Sequence, residues 1–100
     1  MKINIQFVRM PTSETMDGYM REKLAPLSKK YEWLTTAEVF FKKEHKPKGK
    51  GKICEVQLSL PGPRIFASSN EKNFEMAVKE TISDLEKQLK KRKQEMNPYI

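Results

Sequence analysis

Cysteine and histidine occur once each in these 100 residues, and glycine only four times. A single cysteine, Cys54, excludes an internal disulfide, and its place in an alternating apolar run marks it as a buried small hydrophobe, not a nucleophile. His45 stands among lysines with no carboxylate at ligand spacing, so neither a zinc site nor a Ser-His-Asp arrangement has supporting residues. Gly49 and Gly51 lack the spacing of a phosphate-cradling loop and join two predicted strands. The carboxylates are scattered or matched to lysines, which leaves no acid and base pair for catalysis. No catalytic residue, cofactor, metal or small-molecule substrate is therefore expected. Apolar runs fall well short of a membrane span, and the N-terminus lacks the charged-then-apolar pattern of a signal peptide. A cytoplasmic protein with no membrane partner is the expectation.

Charge is what the chain has in quantity. Its net +7 is concentrated in two stretches: residues 42–52 carry six lysines and one glutamate, and residues 87–93 carry five cations and no acid. The rest is slightly acidic, so the two stretches read as a footprint for a polyanion, nucleic acid first. A mean hydropathy of −0.76 with 37% hydrophobic residues suits one surface-rich domain with a modest core.

Periodicity places the elements. Residues 2–8 alternate, with Ile3, Ile5 and Phe7 on one face and Lys2, Asn4 and Gln6 on the other, as in a half-buried strand. Pro11 ends it, and Thr12 or Ser13 can cap a helix whose stripe is Met16, Met20, Leu24 and Leu27. Pro26 predicts a kink or break around residues 22–26. Lys23 falls inside the apolar arc, where it either snorkels past its neighbours or points to a ligand. Residues 36–44 read as a second strand with Ala37, Val39 and Phe41 inward. His45–Gly51, with lysine at every second position, reads as a mobile basic finger. Cys54 to Leu60 and Ile65 to Ala67 give two more strands around Pro61-Gly62-Pro63, and Ser68–Glu71 is read as the start of a long helix.

That helix, residues 73–93, carries Phe74, Val78, Ile82, Leu85 and Leu89 on one stripe, flanked by Ala77, Thr81 and Gln88. At Arg92 the stripe turns basic, so the last turn should project beyond the packed body. Acids come early and bases late along it, an order that macrodipole compensation also explains. The predicted fold class is α+β in the order β-α-β-β-β-α, a four-stranded sheet with two helices packed on one face, in the manner of a double-stranded-RNA-binding domain. Residues 1–93 form one domain in this reading, and 94–100 a flexible tail.

Phe40 and Phe66 on the open sheet face could stack bases or simply pack across strands. An RRM is not indicated, because neither a helix between the third and fourth strands nor an aromatic-rich RNP1 run is present.

Lys23-Leu24-x-x-Leu27 on the first helix, Leu60-Pro61-Gly62 between strands and Leu85-Glu86-Lys87-Gln88-Leu89-Lys90-Lys91 near the end occur in this element order. With them the chain resembles, over residues 1 to about 93, the short-form ribosome hibernation promoting factors of the ribosome-associated translation inhibitor and sigma-54 modulation protein family. The resemblance implies a domain that binds the small ribosomal subunit between head and body and contacts its rRNA with basic residues of both helices. It also implies that the mRNA and tRNA sites are blocked, silencing translation in stationary or stressed cells. By position it assigns RNA contact to Lys23, Lys87 and Lys91, and leaves room for a separate ribosome-dimerising partner protein. The sequence departs from the family where Asn73 to Val78 replace Asp-x-Tyr-x-Ala-Ile, and where Asp84 stands in place of a lysine.

Together these readings give an expected RNA-binding set of Lys23, Lys87, Lys90, Lys91 and Arg92, with Lys46, Lys48 and Lys50 as secondary phosphate contacts. A free double-stranded RNA binder is the alternative within nucleic-acid recognition. A protein-interaction or dimerisation module using Phe40, Ile53 and Phe66 is the alternative outside it.

Overall fold

The computed structural model describes residues 1–45 and 49–96. Its elements are β1 (Lys2–Phe7), α1 (Glu14–Lys30), β2 (Thr36–Lys43), β3 (Lys52–Ser59), β4 (Ile65–Glu71) and α2 (Phe74–Met96). The strands lie side by side in chain order, β1 parallel to β2 and the other pairs antiparallel. A parallel first pair requires α1 to run back along the sheet, and α2 does the same after β4. Both helix C-termini therefore emerge at the end that also carries the β3–β4 turn.

Strand alternation decides which face is covered. Ala37, Val39, Phe41, Cys54, Val56, Leu58, Ile65 and Ala67 point under the helices and are buried, while Glu38, Phe40, Glu55, Gln57 and Phe66 line the other face. Met20, Leu24 and Leu27 of α1 and Ala77, Val78, Leu85 and Leu89 of α2 close the core from above. The α2 stripe centres on Thr81, which is fully buried, with Phe74 and Ile82 at the half-buried margin. A hydroxyl is tolerated there because Thr81 Oγ1 donates to the Cys54 carbonyl at 3.2 Å. Burial pushes the Cys54 thiol up to about 12, which keeps it protonated and unreactive, as its sequence setting predicts.

Three boundaries differ from expectation. Helix α1 passes through Pro26 without a break. The carbonyl that loses its partner belongs to Glu22, and both residues face solvent, so water can take the bond. Burial of Met20, Leu24 and Leu27, at about 1.5–3 kcal/mol each, exceeds the roughly 3 kcal/mol proline penalty. Ser68–Glu71 continues β4 and does not begin the helix, because Asn70 and Glu71 pair with Ile53 and Lys52. Asn73 caps α2 instead, its Oδ1 accepting from the Met76 amide at 2.8 Å, so the departure at this position keeps the cap. Phe74 beside it packs edge-on against Phe41, with ring centroids 5.4 Å apart. Finally, α2 continues to Met96, which takes residues 94–96 out of the expected tail; residues 97–100 lie outside the described residues.

Candidate nucleic-acid interface

Because α1 and α2 run the same way over the sheet, their C-terminal halves lie side by side. Between them is a cavity of about 280 Å³ lined by Lys30, Tyr31, Ser83, Glu86, Lys87 and Lys90. On α1, Lys23 and Lys30 are two turns apart and share a face. Lys23 is half-buried with its Nζ 5.2 Å above the Tyr19 ring, and Lys30 Nζ lies 5.5 Å above the Tyr31 ring. Each aromatic thus carries a lysine stem and aims its charge without neutralising it. On α2, Lys87, Lys90 and Lys91 fall within one arc of the exposed face. Among the described residues none of Lys23, Lys30, Lys87, Lys90 and Lys91 is ion-paired to a carboxylate.

Lys91 opens on the opposite flank of α2, where it lines a second cavity of about 240 Å³ with Ile65, Gln88, Arg92 and Glu95. Here Arg92 departs from the expected projecting turn. Its Nη1 donates to the Pro63 carbonyl at 2.9 Å and to the Pro61 carbonyl at 3.4 Å, and its Nε lies 3.9 Å from Glu95. Gly62 between the prolines has φ +92°, and a Cβ there would come within 3.3 Å of Arg92 Nη1. The guanidinium is a clamp that holds the β3–β4 turn on the helix. Gln88 acts one turn earlier, donating to the Phe66 carbonyl at 2.9 Å and to Asp84 at 3.2 Å. Asp84, in place of the family's lysine, thereby helps to orient Gln88.

The hairpin stretch uses its charge differently. Lys42 pairs with Glu55 at 2.6 Å and Lys50 with Glu71 at 3.1 Å. Lys50 is held near the end of β4, which is also fixed by Gly51 N donating to Asn70 Oδ1 at 2.7 Å. Lys46 and Lys48, in the middle of the expected finger, lie outside the described residues.

Among the described residues the structure therefore brings Lys87 and Lys90 together with Lys30 in one groove, leaves Lys23 two turns back along α1, puts Lys91 on the opposite flank of α2, and commits Arg92 and Lys50 to contacts within the chain. Lys30 completes the groove and was missed by sequence reasoning. Its seven-residue spacing from Lys23 was the available signal. On the open sheet face, Phe66 is 56% exposed, but Phe40 is half-buried with Lys42 Nζ 5.8 Å above its ring, and acids and amides separate the two. That face offers no continuous apolar patch.

Two helices on one face of a mixed four-stranded sheet, with a lysine-lined groove between their C-terminal halves, define a small α+β domain with one strongly cationic end. Residues 3–97 match the family model described as Sigma 54 modulation protein / S30EA ribosomal protein, and the chain belongs to that family. The ribosome hibernation promoting factor of Pseudomonas putida strain KT2440 is 27% identical over 100 residues, which is 100% of this chain and 94% of that protein. A solved ribosomal subunit interface protein from Coxiella burnetii superposes with a TM-score of 0.80 at 25% identity, over 93% of this chain and 98% of its own. The N-terminal domain of Thermus thermophilus Protein Y shares the fold, with a TM-score of 0.77 and 24% identity over 91% of this chain and 98% of its own.

Proposed function

We propose that this protein is a non-enzymatic hibernation factor that binds the small ribosomal subunit and silences translation. Its basic helical groove would engage rRNA phosphates and its body would block the mRNA and tRNA sites. The observation that carries this reading is the position of the lysines relative to the end of α2. Macrodipole compensation acts within the last turn of a helix, and of the basic cluster only Lys93 is there. Lys87, Lys90 and Lys91 lie further in, exposed and without an ion pair among the described residues, and Lys87 and Lys90 share a groove with Lys30 of the other helix. Exposed like charges from two helices repel one another, and an external polyanion removes that repulsion. The relatives named for ribosome hibernation and for the subunit interface support reading that polyanion as ribosomal RNA.

Lys23, Lys30, Lys87, Lys90 and Lys91 are the residues assigned to phosphate contact, with Lys46 and Lys48 as secondary contacts. Arg92 supports the site by fixing the turn beneath it. Sedimentation with purified ribosomal subunits tests the assignment. The protein should travel with the small subunit, inhibit translation from a pre-formed template, and be displaced by excess mRNA and initiator tRNA. Tight binding to naked duplex RNA with no co-migration would establish the free duplex binder instead.

A further inference from the structure

At the opposite end of the molecule, where β1, β2 and β3 meet, a cavity of about 520 Å³ is lined by Val8, Arg9, Lys42, Lys43, Glu44 and His45. We propose that this cavity, together with Lys52 as the cross-strand partner of Lys43, is a second anion site, built to take a chain of phosphates on Arg9, Lys43 and Lys52, with His45 as a further donor.

Register puts these cations in a row. Lys43 and Lys52 are direct cross-strand partners, and Phe7 pairs with Phe41, so Arg9, two residues on, stands beside Lys43. Like charges directly opposite each other on neighbouring strands are destabilising. On its other side Lys52 faces Glu71, which is itself paired with Lys50, and among the described residues Arg9, Lys43 and Lys52 form no ion pair. Lys52 Nζ lies 6.0 Å above the Phe74 ring, which holds its stem in place and leaves its charge available.

The remaining charged groups of the lining are turned to other uses. Lys42 is paired with Glu55, and the Glu44 carboxylate accepts from Asn70 Nδ2. Arg9 supplies an independent sign of function. It is the one non-glycine residue with positive φ, +55°, among the described residues. Backbone strain of this kind gathers at ligand-binding positions.

The shape of the site selects the ligand. Three neighbouring strand ends span roughly 10 Å, more than one isolated anion needs, and the cavity is large enough for several phosphates. Among the described residues no aromatic ring of Phe, Tyr or Trp lines it, so bases would not be stacked there and recognition would be independent of sequence. An RNA backbone and a free polyphosphate present the same chemistry. The helix C-termini emerge at the other end of the sheet, so a phosphate tract held here is distinct from one held in the helical groove.

Residue-resolved NMR titration of the full chain tests the site without the ribosome, so its outcome is separable from that of the ribosome reading. The probes are inorganic tripolyphosphate, a short uracil oligoribonucleotide and poly-glutamate, each added to wild type, to R9Q/K43Q/K52Q and to K87Q/K90Q/K91Q. We expect tripolyphosphate to shift the amides of Val8–Met10, Lys43–His45 and Lys52 in wild type and in the helix variant. Binding at those amides should weaken by about tenfold or more in R9Q/K43Q/K52Q, at a melting temperature no lower than that of wild type. The same amides shifting with the oligonucleotide would identify RNA backbone as the source, and shifting with tripolyphosphate alone would identify a free polyphosphate. Shifts confined to Lys87–Lys91, shifts that survive in R9Q/K43Q/K52Q, or an equal response to poly-glutamate would each overturn the proposal.

Discussion

The two lysine-rich stretches carry the same net charge, yet the fold treats them differently. In the hairpin stretch, Lys42 and Lys50 are paired with Glu55 and Glu71 of neighbouring strands, and of its described lysines only Lys43 and Lys52 are left without an ion pair. In the helical stretch, Lys87, Lys90 and Lys91 have no such partner among the described residues, because the face of α2 they occupy looks away from the sheet and toward solvent. Only Arg92, on the rotation that faces the β3–β4 turn, is drawn into the body. Local charge density therefore overstates the free charge of a strand end and measures that of a helix end well. What distinguishes the two is the presence of acidic neighbours at cross-strand distance.

The comparison can be broken first at the anchor. Leu85 is fully buried beneath the groove, and Leu85→Ala should cost about 2–5 kcal/mol, a fall in Tm of roughly 10 °C or more. The salt dependence of binding, measured well below that Tm, should not change. A smaller cost is expected at the clamp. Arg92→Ala removes two charge-assisted bonds to turn carbonyls and should cost about 1–2 kcal/mol by urea titration. Gly62→Ala should cost a similar amount, about 1–3 kcal/mol, through its positive φ. If Arg92→Ala left stability intact and weakened binding as strongly as a lysine substitution, Arg92 would belong with the free cations. The smallest effect belongs to the paired lysines. Lys42→Gln and Lys50→Gln remove partly exposed ion pairs, at about 0.2–1 kcal/mol each, and should leave the salt slope of binding almost unaltered.

Much of the fold was legible because alternation and helical spacing are written in single residues. Ile3, Ile5 and Phe7, or Ala37, Val39 and Phe41, state their face without reference to anything distant. The misplaced start of α2 has a physical cause. Ser68, Ser69 and Asn70 are residues that favour caps and turns, and only pairing with β3 keeps them extended. The Arg92 clamp joins residues 29 and 31 positions apart, and the Lys50–Glu71 pair joins residues 21 apart. No local pattern announces either. Lys30 was within reach of periodicity, but its role depends on the neighbouring helix. Charge runs thus identified the candidate site, and the third dimension decided which charges in them are free.

The most direct test of the central claim, that the end of α2 presents free charge to phosphate, is small-subunit binding across a salt series for wild type and K87Q/K90Q/K91Q. Each phosphate contact contributes roughly −0.9 to the slope of log K against log salt, taking the duplex value as a guide, so the variant should be flatter by about two to three units. Its melting temperature should match that of wild type, because the three side chains are solvated. Parallel slopes for the two proteins would contradict the account, and would leave those lysines as ordinary surface charge on a helix.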